Sequence, residues 1–172
     1  MERQLVTPLH WVDGPWPGRL ALAARPRGGD WLEDEIAGWQ RASIDTVCSL
    51  LALDEEAELD LTQEAQTVQA HGMTFVSLPM PDGDIPASSV LFSEALARLD
   101  AELTAGRNVV LHCRQGIGRT GLVAMCLLIK TGLGADTAIQ RVSKARKAAV
   151  PETQKQRQWI ENYGATIDDR RI

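Results

Sequence analysis

The segment HCRQGIGRTG at positions 112–121 combines a nucleophilic side chain, a glycine-rich turn and a cation. A short apolar run, NVVLH, leads into Cys113, and an apolar helical pattern begins at Arg119. Successive backbone amides in a turn between a buried strand and a helix can converge on one point. The helix N-terminus adds the positive end of its dipole. The segment therefore predicts a nest for an anion.

Cys113 lies where this positive field acts on a sulfur atom. Thiols at helix N-termini beside cations have pKa values of about 3.5–7.5, against about 8.5 for an ordinary cysteine. We therefore expect a thiolate that attacks a phosphorus atom held in the nest. The planar fork of Arg119 can bind two phosphate oxygens, and Thr120 can donate a hydrogen bond to the sulfur as it leaves. The predicted anion-binding set is Arg114, Gln115, Gly116, Ile117, Gly118 and Arg119.

The pattern His-Cys-x5-Arg-Thr resembles the signature of the protein tyrosine phosphatase superfamily, and the short chain resembles its dual-specificity branch. The stretches VCSLLALDE and PMPDGDIP resemble the cyclin-dependent-kinase-associated phosphatase group, and the resemblance covers roughly residues 20–162. It implies a cysteine-dependent phosphatase that needs no cofactor and no metal. Such an enzyme hydrolyses phosphate monoesters through a cysteinyl-phosphate. The implied substrates are proteins carrying phosphotyrosine and also phosphoserine or phosphothreonine.

The same resemblance implies an aspartate that protonates the leaving oxygen, because expelling an unprotonated alkoxide or phenoxide is difficult. The family's Pro-x-x-Asp pattern matches Pro79 to Asp82, so we predict Asp82 as this acid, with Asp84 as the reserve. A second reading of both residues is ordinary turn chemistry, since Asp-Gly and Asp beside Pro are common in loops.

Cys48 lies where several relatives carry a cysteine that pairs with the nucleophile under oxidation, so the resemblance implies a reversible Cys48–Cys113 disulfide. The residue that orients the hydrolytic water stays open between Glu152 and Gln156. A helix started by Pro151, with a polar first turn, explains the same residues equally well.

Other functions compete with that of a protein phosphatase. A nucleotide-binding P-loop needs a glycine at Cys113 and a lysine at Arg119, so it is excluded. The alternative substrate is a phosphoinositide or inositol phosphate, although only Arg114 is cationic at the variable loop positions. A rhodanese-like sulfurtransferase and a non-catalytic phosphoprotein-binding module are the lesser alternatives.

Short apolar runs alternate with longer helical patterns, which predicts an α/β domain with a mainly parallel sheet of four to five strands and helices on both faces. We expect an irregular arm rich in Pro, Gly and Trp at 1–18, the catalytic domain at 19–165 and a tail at 166–172. Strands are predicted at 20–24, 45–51, 73–78 and 108–112. A helix is predicted to begin at Asp30, and others over 55–70, with a candidate break at 60–62, and over 88–105, 119–130, 135–148 and 152–163.

Composition limits the partners. The chain has 172 residues and a net charge of −5, which argues against a general nucleic-acid binder. Its longest apolar run, 121–129, is about half the length of a membrane span, and the first 18 residues lack a secretory apolar core. Three scattered cysteines form no disulfide framework, so we expect a reducing, cytoplasmic setting. A monomer is the default expectation.

Overall fold

Strands and helices alternate along most of the chain. The structure, a computed structural model, describes residues 6–83, 85–86 and 88–169. Its strands are β1 (His10–Val12), β2 (Leu20–Ala24), β3 (Thr46–Ser49), β4 (Thr74–Ser77) and β5 (Val109–Cys113). Its helices are α1 (Leu32–Arg41), α2 (Leu53–Glu58), α3 (Glu64–Ala70), α4 (Ser89–Thr104), α5 (Gly118–Lys130), α6 (Ala135–Arg146) and α7 (Gln154–Asp169).

The strands form one five-stranded sheet in the order β1-β2-β5-β3-β4. All neighbouring pairs are parallel except β1 with β2, which confirms the predicted α/β fold with a mainly parallel sheet. The central strand β5 ends beside both of its neighbours, with Cys113 opposite Ala24 and His112 opposite Ser49. Ligands of open parallel sheets bind beyond such carboxyl ends.

Helices cover both faces of the sheet, as predicted. Alternate residues of β5 point to opposite faces. Val109, Leu111 and Cys113 join the core formed with α4, α5, α6 and α7. Val110 joins a smaller core on the other face, formed with α1 and α3. The nucleophile candidate therefore points toward the larger helical layer.

The helix that follows Cys113 lies at the centre of that layer. Every residue of α5 from Arg119 to Ile129 is buried, as expected for a helix that is apolar on nearly every face. Gly121 allows close packing, because a Cβ there would lie 2.4 Å from Val150 Cγ1. Within the described part of the chain, no helix combines the length and the apolar character needed to cross a membrane.

Two predicted boundaries need correction. The N-terminal arm at 1–18 is not wholly irregular, because His10–Val12 forms the antiparallel edge strand β1. Three residues are too few to show the alternation that identifies a strand in a sequence. The predicted tail at 166–172 begins inside a helix, since α7 continues to Asp169. Trp159, Tyr163 and Ile167 of α7 pack against the larger core, which extends the helix past the predicted end.

Substitution of Gly121 by alanine is expected to destabilise the protein. The added methyl meets the buried, β-branched Val150, whose side chain has little freedom to move. Overpacking of this kind costs about 1–3 kcal/mol, and the loss is measured by urea unfolding.

The matched control is Gly164→Ala in α7, where the added Cβ lies 3.7 Å from its nearest neighbour, the Cβ of Ala135. Removing a helical glycine there should stabilise the protein by about 0.5–1 kcal/mol. An unchanged urea midpoint for Gly121→Ala would show that the α5 contact is not tight.

Candidate active site

The loop between β5 and α5 turns its backbone toward the sulfur of Cys113. Cys113 is the last residue of β5 and is 3% exposed, and the amide of Gly116 donates a hydrogen bond to its Sγ at 3.2 Å. Gly116 has φ +74°, and a Cβ there would lie 2.3 Å from the carbonyl of Ala23. No other residue type fits this position, so the glycine is what allows the amide to point inward.

Arg119 is buried, and a carboxylate binds the Nη1 and Nη2 edge of its guanidinium. Its Nη1 and Nη2 bind the two carboxylate oxygens of Glu55 at 2.5 and 3.0 Å, and Nη1 also donates to the carbonyl of Met80 at 3.0 Å. Burial acts to lower the pKa of Arg119, whereas the bond to Glu55 and the charge of Cys113 act to raise it, and the net direction is upward. The guanidinium is therefore a fixed positive charge near the sulfur.

Glu55 is the carboxylate that fixes this guanidinium. Burial acts to raise the pKa of Glu55, but hydrogen bonds from Arg119, the Ala52 amide and Arg114 outweigh it, and the pKa falls from 4.5 to about 2. Glu55 is therefore ionised at neutral pH and compensates the charge of Arg119 in a buried setting, where an unpaired charge is costly.

Several polar groups near the loop are buried and lack a hydrogen-bonding partner within the described residues. They include the Nε of Arg119 and the Oγ1 of Thr120. Buried polar groups are usually paired, so unpaired donors at the start of α5 fit an anionic ligand. The Gly116 amide and the free Nε edge of Arg119 are suited to the oxygens of a phosphoryl group. Donation from the Thr120 hydroxyl to the sulfur stays a prediction.

The predicted acid lies near the arginine. Asp82 is in the loop after β4, its side chain is 72% exposed, and its Oδ1 lies 3.5 Å from Nη2 of Arg119. The reserve candidate, Asp84, lies outside the described residues. The choice of Asp82 stays a prediction.

The other predicted loop residues line the rim. Gln115 is exposed, and Ile117 and Gly118 are half-buried. The guanidinium of Arg114 binds Glu55 at 3.2 Å and Glu58 at 3.1 Å. The rim is therefore less cationic than its sequence indicates.

The two candidates for orienting water, Glu152 and Gln156, both have side chains beside Gly118, the first residue of α5. An added Cβ on Gly118 would lie 3.1 Å from Oε1 of Glu152 and 3.7 Å from Nε2 of Gln156. Gln156 is fully buried. The structure thus brings both predicted residues to the loop.

Cys48 is a buried thiol of β3 that faces the same core as Cys113. Burial and the charge of Glu64 raise the pKa of Cys48 to about 12. Cys48 pairs with Leu111, two residues before Cys113. Strand geometry separates the two cysteine Cα atoms by about 8 Å, so a disulfide requires backbone movement. The redox pairing stays a prediction.

Sequence reasoning missed three residues that support the site. Glu55 holds Arg119, Glu64 binds the ring of the fully buried His112 at 2.5 Å, and Arg146 donates to the carbonyl of Gln115 at 3.1 Å. Glu55 does lie inside the stretch VCSLLALDE. Glu64 and Arg146 carry no sequence signal, because exposed helical faces contain the same residue types.

Curated relatives match about three fifths of the chain. Mouse protein tyrosine phosphatase type IVA 3 is 29% identical over 106 residues, which are 60% of each chain. Rat cyclin-dependent kinase inhibitor 3 is 30% identical over 107 residues, 61% of this chain and 47% of that one. The chain therefore spans about 60% of the length of the type IVA 3 phosphatase and about half of the rat protein.

Solved structures share the fold over nearly the whole chain. A kinase associated phosphatase, with its catalytic-site cysteine replaced by serine, superposes with a TM-score of 0.86 at 19% identity, covering 96% of this chain and 98% of that one. Tk-PTP in its active form gives a TM-score of 0.74 at 26% identity, covering 91% and 96%.

The family comparison agrees with the geometry. Residues 23–133 match the family described as "Tc-R-P: Polymorphic toxin system, DSP-PTPase phosphatase". The predicted relation to the dual-specificity phosphatases is thus confirmed. Because the match extends over more than half of the chain and includes the strand, loop and helix around Cys113, the chain belongs to this family of DSP-PTPase phosphatases.

Proposed function

We propose that the chain is a cysteine-dependent phosphatase that hydrolyses phosphate monoesters of proteins, phosphotyrosine first and also phosphoserine or phosphothreonine. The observation that carries this proposal is the arrangement around one sulfur. The Gly116 amide donates to Cys113 Sγ at 3.2 Å, and the buried Nε of Arg119 has no partner among the described residues. Nucleophile and oxyanion donors thus belong to one loop, as phosphoryl transfer requires.

The first step transfers the phosphoryl group to sulfur. The thiolate of Cys113 attacks phosphorus, a P–S bond forms and the P–O bond to the leaving group breaks. The loop amides from Arg114 to Arg119 and the guanidinium of Arg119 stabilise the three equatorial oxygens. Asp82 gives its proton to the departing oxygen, so an alcohol or phenol leaves.

The second step hydrolyses the cysteinyl-phosphate. Asp82, now a carboxylate, takes a proton from water, and the water oxygen attacks phosphorus. The P–S bond breaks, inorganic phosphate forms and Cys113 returns to the thiolate, with a hydrogen bond from the Thr120 hydroxyl stabilising the departing sulfur. Glu152 and Gln156 are the candidates for orienting the water, since both lie beside Gly118.

The charge of the rim supports a phosphoprotein substrate over an inositol phosphate. Arg114, the cation at the variable loop positions, is bound by two carboxylates, Glu55 and Glu58. A substrate with several phosphates needs free cations around the reacting one, and this guanidinium is already compensated. A panel of phosphopeptides and inositol phosphates tests the preference directly, and faster hydrolysis of the inositol phosphates would reverse it.

A reducing, cytoplasmic setting is part of the proposal. Cys48, Cys113 and Cys126 are all buried free thiols, and a thiolate nucleophile is lost on oxidation. We also propose that the chain acts as a monomer.

Replacement of the nucleophile or the acid should affect different steps. Cys113→Ser is expected to abolish hydrolysis of para-nitrophenyl phosphate, because a serine hydroxyl is not ionised at neutral pH. Asp82→Ala should lower turnover by about 10²–10⁴-fold through loss of general acid catalysis, with binding of inorganic phosphate preserved. Both are measured in EDTA, which is expected to leave wild-type activity intact.

Asp136→Asn, an exposed substitution in the first turn of α6, is the control and should retain full activity. Retained turnover by Cys113→Ser contradicts the mechanism, and a larger loss for Asp84→Ala than for Asp82→Ala reverses the acid assignment. Thiosulfate-dependent cyanide conversion without phosphatase activity would instead support a sulfurtransferase.

Glu55→Gln should lower turnover and reduce stability in a pH-dependent way. Because the pKa of Glu55 is about 2 in the folded protein and about 4.3 in an unfolded chain, the ionised carboxylate stabilises the fold above the unfolded value. That contribution is lost as the pH falls through the folded value. The difference in urea midpoint between wild type and Glu55→Gln should therefore be largest at neutral pH and disappear toward pH 2.

Glu58→Gln, on the same helix with its side chain 67% exposed, is the matched control and should show little effect. A gap between wild type and Glu55→Gln that is independent of pH would mean that Glu55 acts by packing and not by its charge.

Mild peroxide treatment tests the predicted redox pairing. We expect peptide mapping to find a Cys48–Cys113 disulfide that is reversed by a thiol reductant and absent in Cys48→Ser. Detection of Cys113 only as sulfenic or sulfinic acid would count against this pairing.

A further inference from the structure

One peptide group of the loop is bound at both of its ends. The N–H of Gly116 donates to Cys113 Sγ at 3.2 Å, and the carbonyl of the same peptide, that of Gln115, accepts a hydrogen bond from Nη2 of Arg146 at 3.1 Å. In a trans peptide the C=O and N–H groups point in opposite directions. Holding the carbonyl outward therefore holds the amide toward the sulfur, and a rotated peptide would turn an oxygen lone pair toward it.

Arg146 comes to the loop from a well-anchored helix end. It is the last residue of α6, and its Nε is buried without a hydrogen-bonding partner in the described structure. The hydroxyl of Ser143, three residues earlier, donates to the carbonyl of Val150, whose side chain lies against Gly121 of α5. These contacts hold the end of α6 near the beginning of α5, so the guanidinium is placed by the packing of two helices.

The charge environment of Arg146 includes the sulfur. Burial lowers the pKa of Arg146, and the negative charge of Cys113 acts in the opposite direction. Titratable and charged groups near this part of the site include His10, Glu55, Asp82, Cys113, Arg114, Arg119, Lys147 and Glu152. Among them, Arg119 acts on the sulfur from behind the loop, whereas Arg146 acts on the outward side of the Gln115–Gly116 peptide.

We propose that Arg146 is a positioning residue for the nucleophile: by binding the Gln115 carbonyl it keeps the Gly116 amide directed at Cys113 Sγ and so maintains the reactive thiolate. The role rests on the proposed phosphatase function, because it concerns the same sulfur. Arg146 acts through the peptide and does not itself contact the reacting phosphorus.

The experiment measures the reactivity of Cys113 and not only turnover. Wild type, Arg146→Met and Arg146→Lys are alkylated with iodoacetamide from pH 4 to 9, and modification of Cys113 is followed by peptide mass mapping. Loss of the amide hydrogen bond should raise the pH at which half of Cys113 is alkylated by about one unit in Arg146→Met. At any pH below the wild-type midpoint, the variant then contains about tenfold less thiolate. Arg146→Lys, which keeps a charged donor, should recover at least half of that shift.

Two substitutions separate this role from helix packing and from charge alone. Arg141→Met changes the same helix at a residue that binds the Asp13 carbonyl at 3.2 Å, and Lys147→Met removes one positive charge next to Arg146. Both should keep the wild-type midpoint, and thermal melts establish that each variant is folded.

The outcomes distinguish this proposal from the phosphatase assignment. An unchanged midpoint in folded Arg146→Met, or an equal shift in Lys147→Met, overturns the role of Arg146 while an active wild type keeps the phosphatase. A wild type that hydrolyses no phosphate monoester and is alkylated only at alkaline pH overturns the phosphatase itself.

Discussion

The direction of a few backbone amides is the condition on which the site depends. The loop after Cys113 has to direct N–H groups at one sulfur. Each peptide that does so points its carbonyl away from the sulfur, and that carbonyl needs a hydrogen-bonding partner elsewhere. At the Gln115–Gly116 peptide the partner is Arg146. The inward turn is possible because Gly116 has a positive φ and lies directly against Ala23 at the end of β2. The central sheet therefore fixes the loop from one side and the C-terminal end of α6 from the other.

Charge compensation sets the second requirement. A guanidinium as buried as that of Arg119 is costly unless it is paired. A partner that accepted hydrogen bonds from all of its N–H groups would leave no donor for the oxygens of a substrate. Glu55 binds the Nη1 and Nη2 edge, and the Nε stays without a partner in the described residues. The same carboxylate also binds Arg114. One glutamate thus stabilises the arginine and lowers the positive charge of the rim.

Much of the fold is predictable from the sequence because its signals are local. The predicted strand at 20–24 and helix at 135–148 correspond closely to β2 and α6. The short strand β1 could not be recognised, since its identity depends on pairing with β2 and not on any pattern in three residues. The extent of α7 depends on packing of Trp159 and its neighbours against the core, which composition near the C-terminus does not indicate.

The predicted nucleophile, its arginine and the glycine-rich turn lie within ten consecutive residues. Their spacing in the chain is enough to predict an anion site at 112–121 and to indicate phosphoryl chemistry. The groups that make this loop work come from distant positions. Glu55 and Arg119 are 64 residues apart in the sequence, and Arg146 and Gln115 are 31 residues apart. A hydrogen bond between such residues depends on how the sheet and helices pack. The sequence around either partner therefore does not predict the bond.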